Sequence, residues 1–238
     1  NRWQIPAYLQ SNIHISKTKM TNNIIFISGI GTNVGKSYAT GWLANHLMAK
    51  GKRVITQKFI QTGNSDFSED ISIHREVMGM EYTQWDYDHV TAPVIFSYPA
   101  SPHLAAAIDR KSINLDHIKD ATNKLSEKYD VVLLEGAGGL MVPVTEDYFT
   151  IDYINDNNYP VALVTNGMLG SINHTLLSFE ALKSRNIPVP FIIYNRFFDK
   201  DNVIAADNKR FLKDYFLRES PDSVFLIMPR LDIKKEQR

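Results

Sequence analysis

The 238-residue chain contains no cysteine. That excludes disulfides, thiolate metal sites and cysteine nucleophiles, and with them a small secreted scaffold held by disulfide bridges; a reducing cytoplasm fits. An excess of charge of either sign is also lacking. Lys and Arg number 26 and Asp and Glu 26, so no general pull on phosphodiester backbones or anionic lipid is expected, and nucleic acid is a poor choice of partner. No apolar run approaches the roughly 18 residues that span a bilayer. Residues 1–19 carry no apolar stretch of the kind found in a signal peptide, so the expectation is a cytoplasmic protein, neither inserted in a membrane nor exported. Met20 comes a few residues before the first strong strand and reads as the natural start. Residues 1–19 are then an extension or expression remnant, and residues 20–238 a single domain.

What is present is a series of short apolar runs at 24–28, 54–58, 94–97, 131–135, 161–165, 191–194 and 224–227. Each has the length of one strand and is continuous rather than alternating, as expected for parallel strands covered on both faces. Helical patterns lie between them. In 115–128, Leu115, Ile118, Thr122 and Leu125 recur at helical spacing with charges between, and 170–185 reads the same way. Such alternation predicts an α/β fold, a mostly parallel sheet with right-handed crossovers and helices on both sides. Ligands of such sheets bind beyond the carboxyl ends of the strands, which singles out the residues that leave each strand there.

The first strand runs into Gly29-Ile30-Gly31-Thr32-Asn33-Val34-Gly35-Lys36-Ser37, followed by a helical stretch over 38–50. Strand, glycine loop and helix in this order make a P-loop. Its glycines let backbone N–H groups approach phosphate, its lysine neutralises phosphate, and the Ser37 hydroxyl can ligate Mg²⁺. The strict pattern has glycine five positions before Gly35, where this chain has Ile30, so the loop is a variant. It points to a nucleotide and is silent on the reaction.

Other strand ends deliver further groups to the same edge. Lys58 ends the second strand and Thr62-Gly63 follows; two lysines near one triphosphate suit transfer to an anionic acceptor, although a lysine at a strand end taken alone is more often a solvated surface residue. Glu135 leaves the run 131–135 into Gly136-Ala137-Gly138-Gly139, where a carboxylate can hold Mg²⁺ or its waters and glycines can admit substrate to the backbone. The competing reading is a glutamate facing water beside a turn. Asp66, Glu69 and Asp70 share one polar stretch before a helical pattern, and Ser and Asp cap helix starts routinely, so the residues alone do not choose among them.

Together the P-loop, Lys58 with Thr62-Gly63, Ser101-Pro102-His103, Glu135-Gly-Ala-Gly-Gly and Leu169-Gly170-Ser171-Ile172-Asn173-His174 resemble dethiobiotin synthetase, in order, from Met20 to about Leu231. The last two motifs are far more specific than the P-loop. The resemblance implies a Mg²⁺-dependent reaction of 7,8-diaminononanoate, carbon dioxide and ATP that gives dethiobiotin, ADP and phosphate through a carbamate and its mixed anhydride with phosphate. It implies that Thr32, Lys36 and Lys58 are catalytic, with Thr32 and Lys58 at the carbamate, and that Ser37, Asp70 and Glu135 surround the metal. Nucleotide would lie on Asn33, Val34, Gly35, Lys36, Ser37 and Tyr38, with adenine near Asn195 and Pro229. Substrate would meet Thr62, Ser101, Pro102 and Gly138. By the same resemblance, Leu169, Gly170, Ser171, Ile172 and Asn173 take the substrate carboxylate across a homodimer interface, from the opposite subunit.

Without the family, Asn195 reads as a turn residue after a strand and Ser171 as a helix N-cap. Phe59, where the family usually has proline, and Asn33, where it often has an acidic residue, depart from the pattern and remove no catalytic group. Two rivals share the P-loop: an ATPase switch that moves or partitions cargo, and a kinase for another small acceptor. The switch commonly has an additional lysine at the loop's start, which Gly29-Ile30-Gly31-Thr32 lacks. A cobalamin-pathway amidase, with its cysteine nucleophile, is excluded by composition.

Overall fold

The computed structural model describes residues 23–231; residues 1–19 and the start assigned to Met20 lie outside them. Its strands are β1 (Ile24–Gly29), β2 (Val54–Lys58), β3 (Gln61–Thr62), β4 (Ile95–Phe96), β5 (Val131–Gly139), β6 (Val161–Asn166), β7 (Phe191–Asn195) and β8 (Val224–Met228). The helices are α1 (Lys36–Met48), α2 (Glu69–Met78), α3 (Gln84–Tyr87), α4 (Pro102–Asp109), α5 (Leu115–Ser126), α6 (Thr150–Asp156), α7 (Ser171–Lys183) and α8 (Asn202–Glu219).

Six strands form a parallel sheet in the order β2-β5-β1-β6-β7-β8. Every residue of β1, β2, β6 and β7 is buried, as the continuous apolar runs require of a sheet covered on both faces. Side-chain alternation divides β1 between two cores. Ile24 and Phe26 pack with Ile118 and Leu125 of α5, Phe179 of α7 and Phe216 of α8, whereas Ile25 and Ile27 pack with Ala39, Trp42, Leu43 and Leu47 of α1. From β1 the chain passes through α1 to one side of the sheet, and from β5 through α6 to the other. The switch falls beside the carboxyl ends of β1 and β5, where an α/β sheet forms its ligand crevice.

The helices follow their sequence signals. Asn114 caps α5 by accepting from the His117 N–H at 3.0 Å, and Ile118, Ala121, Thr122 and Leu125 form its buried stripe. Ser68 caps α2 by accepting from the Ile71 N–H at 3.2 Å, a bond that typically contributes about 1 kcal/mol; Gly79, at φ 65°, ends the helix.

One expected strand is corrected. Residues 94–97 do not join the main sheet; only Ile95–Phe96 are extended, and they pair with Gln61–Thr62 in a separate two-stranded sheet. Pro93 and Pro99 bound the run, and proline cannot donate to a sheet ladder. β5 also outruns its expected end at Glu135, continuing to Gly139 with a register irregularity opposite Gly29.

Candidate active site

The P-loop turns from β1 into α1, which starts at Lys36 rather than at Tyr38. Its N-cap is Gly35, at φ 86°, with no side chain bonded to the first-turn N–H groups, so these are left for an anion. A Cβ on Gly35 would stand 2.3 Å from Asn195 Nδ2, so only glycine fits. Asn33 sits at φ 59°, a region in which asparagine is several-fold enriched over most residues. That gives its departure from the family pattern a conformational reason. Phe59, the other departure, is wholly buried against Phe26 and Tyr153. Its N–H donates to the Glu135 carbonyl at 2.8 Å, a bond that proline could not make.

Four groups expected from the sequence converge beside the loop. The Ser37 hydroxyl lies 2.6 Å from Asp70 Oδ1 and 3.0 Å from Glu135 Oε1. Lys58 Nζ lies 2.5 Å from Asp70 Oδ2 and 3.0 Å from Glu135 Oε1, and donates to the Gly136 carbonyl at 3.1 Å. Lys58 is only 4% exposed, which rules out the solvated-surface reading, and Glu135 at 1% does not face water. Asp70 lies in the first turn of α2 and makes these contacts; Asp66 and Glu69 are exposed. Gly136 is needed sterically, because a Cβ there would meet the Phe26 ring at 2.7 Å. Those glycines therefore pack against β1 and the P-loop at least as much as they open space for a ligand.

Electrostatics bind the cluster together. Burial pushes the Glu135 carboxyl up, but Lys58 and His74 outweigh it and hold the group well below the usual carboxylate range. Burial pushes the Lys58 ammonium down, while Glu135 and Asp70 raise it further and keep it charged. Lys36, whose Nζ donates to the Gly31 carbonyl at 3.0 Å, is lowered by burial and then by Lys58 to about 8. A bound phosphate would keep Lys36 protonated, so binding takes up a proton above pH 8 and must weaken as pH rises. ADP affinity measured calorimetrically without divalent metal is expected to be level below pH 8 and to fall by about tenfold per pH unit above it. A flat profile from pH 7 to 9.5 would contradict this assignment.

Other expected residues are placed around this centre. Thr32 is exposed, with its hydroxyl 3.6 Å from where a Cβ of Gly138 would lie. Val34 is buried and Tyr38 is at the surface. Asn195 is buried; its Nδ2 donates to the Val34 carbonyl at 3.1 Å and its Oδ1 accepts from the Phe197 N–H at 3.0 Å. The amide thus caps the following turn, ties β7 to the P-loop, and retains one N–H and one lone pair. Pro229 follows Met228, which pairs with Asn195 in the sheet. Thr62 lies in β3, and Ser101 and Pro102 open α4 without a side-chain cap bond.

The segment 169–173 opens α7, and here the N-cap is Gly170, at φ 91°, rather than Ser171. The Ser171 hydroxyl instead accepts from Asn208 Nδ2 at 3.2 Å. Leu169 is exposed, Ile172 half-buried and Asn173 exposed. Among the described residues no hydrogen bond joins this segment to Lys36, Lys58, Asp70 or Glu135.

Two contacts of Glu135 are not visible in the sequence. Thr40 Oγ1 approaches its Oε2 at 3.0 Å, and His74 Nε2 approaches the same oxygen at 2.6 Å. His74 stands four residues after Asp70, on the same face of α2, which is the one signal that could have found it.

A variant P-loop at the switch point of a parallel sheet, backed by two lysines, a hydroxyl and two carboxylates, defines a P-loop nucleotide-binding protein. A family profile described as an AAA domain matches residues 23–230. The solved structures agree at the level of fold: a plasmid partition protein from Borrelia burgdorferi bound to AMPPNP superposes with a TM-score of 0.53 at 16% identity, covering 90% of this chain and 89% of its own. The pNOB8 ParA protein bound to nonspecific DNA gives 0.51 at 16% identity, over 91% and 88%. Identity is far higher to the ATP-dependent dethiobiotin synthetase BioD 2 of Pasteurella multocida, 47% over 88% of this chain and 99% of the relative. The Haemophilus influenzae BioD 2 shares 53% over 76% and 95%, and the Chlorobaculum tepidum enzyme 46% over 85% and 86%. The chain belongs to the ATP-dependent dethiobiotin synthetase family.

Proposed function

We propose that this chain makes dethiobiotin from 7,8-diaminononanoate, carbon dioxide and ATP, and that the buried cluster of Lys58, Asp70, Glu135 and Ser37 against the P-loop is where it does so. The observation that carries the reading is Lys58, a buried cation held by two carboxylates beside Lys36. One substrate amine adds to carbon dioxide and loses a proton, giving a carbamate. A carbamate oxygen attacks the γ-phosphorus and ADP leaves; the second amine then attacks the carbamate carbon, loses a proton, and phosphate departs with that oxygen. The carbamate and the transferring phosphoryl group are both anionic, so catalysis is mainly positioning and charge stabilisation. Lys36 and the P-loop N–H groups take the phosphates, and Thr32 and Lys58 the carbamate. Incorporation of labelled bicarbonate into an acid-stable product, dependent on both diamine and ATP, tests the reaction; phosphorylated diamine without ring closure would favour the kinase reading. Likeness to partition proteins extends to the fold alone, so the switch reading has less support.

The donor set fits Mg²⁺: the Ser37 hydroxyl lies within 3.0 Å of an oxygen of each carboxylate, Asp70 and Glu135, and all are hard oxygen ligands. Among the described residues no group of three or more His, Cys, Asp or Glu could hold a metal alone, so phosphate oxygens and water would complete the shell. When bound, Mg²⁺ neutralises charge on the β- and γ-phosphates. Asp70→Asn and Glu135→Gln should each raise the Mg²⁺ concentration for half-maximal rate by about tenfold or more, and Asp66→Asn should leave it unchanged. An equal effect of Asp66→Asn would move the metal elsewhere on this loop.

The same reading includes a cytoplasmic homodimer. Among the described residues no helix is long and apolar enough to cross a membrane. Exposed Met168, Leu169 and Leu177 give the start and outer face of α7 apolar surface suited to a partner, and its first-turn N–H groups suit the carboxylate of a substrate held by the opposite P-loop. Ser171 is the first helical residue, where proline is tolerated; Ser171→Pro with Asn173→Ala removes the two polar side chains and, with them, the bond from the Ser171 N–H to the Met168 carbonyl. Mixed with Lys36→Ala chains at random, that variant should recover about a quarter of wild-type activity, because one site of each mixed dimer is intact. No recovery, with mixed dimers shown by mass spectrometry, places the carboxylate pocket within one chain.

A further inference from the structure

Glu135 is a buried carboxylate whose two oxygens have separate surroundings. Oε1 meets Ser37 and Lys58, on the side of the P-loop and Asp70. Oε2 meets Thr40 and His74. These contacts are unequal in kind. A hydroxyl has one proton, and Thr40 Oγ1 is also 2.9 Å from the Lys36 carbonyl, so it is committed to Oε2 only in part. His74 has no such competitor at Nε2. The ring is wholly buried, and Nε2 is 2.6 Å from an oxygen that can only accept, which puts the proton on Nε2. Nδ1 has no hydrogen-bond partner, so no other polar contact orients the ring.

We propose that His74 is a positioning residue for the reaction: its Nε2–H fixes the Glu135 carboxylate by Oε2, so that Oε1 alone is presented to Ser37 and to the metal beside it. The inference rests on Glu135 acting at Mg²⁺, as proposed above. Without the His74 bond, Oε2 keeps only the shared Thr40 proton. A buried carboxylate short of donors turns toward Lys58, the strongest donor within reach, and Oε1 leaves its position. Outer-shell partners of metal-binding carboxylates commonly change metal affinity by about 10–100-fold when removed.

The test compares two amide replacements that differ by one methylene. His74→Gln can carry an N–H donor to about the place of Nε2, whereas His74→Asn ends near the place of Nδ1 and cannot reach Oε2. The readout is calorimetric: the ratio of ADP affinities with and without Mg²⁺, with thermal melting in parallel. This measures metal coupling apart from turnover, and a purely space-filling role would leave it unmoved. The wild-type ratio is expected to survive within about threefold in His74→Gln and to fall by about tenfold or more in His74→Asn, with metal-free ADP affinity little changed in both. Equal ratios in the two variants, whether both at the wild-type value or both lost, would overturn the donor role. Glu135→Gln separates the two readings. If it keeps the wild-type ratio, Glu135 does not act at the metal; if it loses the ratio while His74→Asn keeps it, Glu135 stands and His74 only fills space. Should His74→Asn not fold, His74→Met read against His74→Gln gives the same comparison, and an unchanged ratio in His74→Met would overturn the proposal equally.

Discussion

Lys36→Ala is expected to lower kcat/KM for ATP by at least about a hundredfold. The ammonium is buried against its own loop, with Nζ on the Gly31 carbonyl, and Ser37, next in the chain, meets Asp70 and Glu135. An anionic transition state would lose a cation already in place, and water entering the gap must reorganise to replace it. Lys36→Arg should not restore the rate, since a planar guanidinium is larger and cannot act as a compact point charge. Activity of Lys36→Ala within a few-fold of wild type would mean that the loop does not hold the triphosphate.

Lys58→Gln is expected to change two quantities. First, kcat should fall by about a hundredfold or more while ADP affinity stays within about tenfold, because in the proposed reaction the charge acts on the carbamate and the transferring phosphoryl group rather than on the bound nucleotide. Loss of nucleotide affinity with kcat retained would make Lys58 a ground-state phosphate ligand. Second, Asp70 and Glu135 lose their shared cation. Removing one member of a buried charge cluster costs about 3–5 kcal/mol, which for a chain of this size lowers Tm by on the order of 10 °C. The sign with pH follows from Glu135, whose carboxyl Lys58 holds below its ordinary range. Its contribution is fully present above the unfolded-state pKa and is lost as pH falls through the folded-state value. The difference in melting temperature between variant and wild type should therefore be full at pH 7 and narrow in acid.

These residues also mark what could be read from the sequence. The strand runs gave six strands of the sheet, all but β5 to within a residue at each end, since a strand covered on both faces must be apolar throughout. The exception, residues 94–97, is an apolar run flanked by prolines that pairs only with β3, outside the main ladder. Strand ends gave Lys58 and Glu135 as candidates, but whether either faced water depended on α1 and α2 closing over the end of β5, which no local pattern contains. The same closure decides among Asp66, Glu69 and Asp70, a choice that required either the family or the fold. Thr40 and His74 were missed because each looks like an ordinary helix residue until α1 and α2 bring both to one oxygen of Glu135. Ser171 was misplaced by one position. Serine is a stronger cap than glycine by frequency, but the chain reaches α7 at φ 91°, which Gly170 adopts without strain.

The proposed transfer of the γ-phosphate to a carbamate oxygen, at the Lys36–Lys58 edge of the sheet, leaves an isotopic mark on the product. It is tested most directly by following oxygen: the enzyme is mixed with diamine, ATP and ¹⁸O-labelled carbon dioxide, quenched within a turnover or two, and the phosphate analysed by mass spectrometry. One ¹⁸O is expected in each phosphate released, in step with cyclic urea formed. Phosphate without ¹⁸O, at an unchanged rate of ring closure, would rule that transfer out.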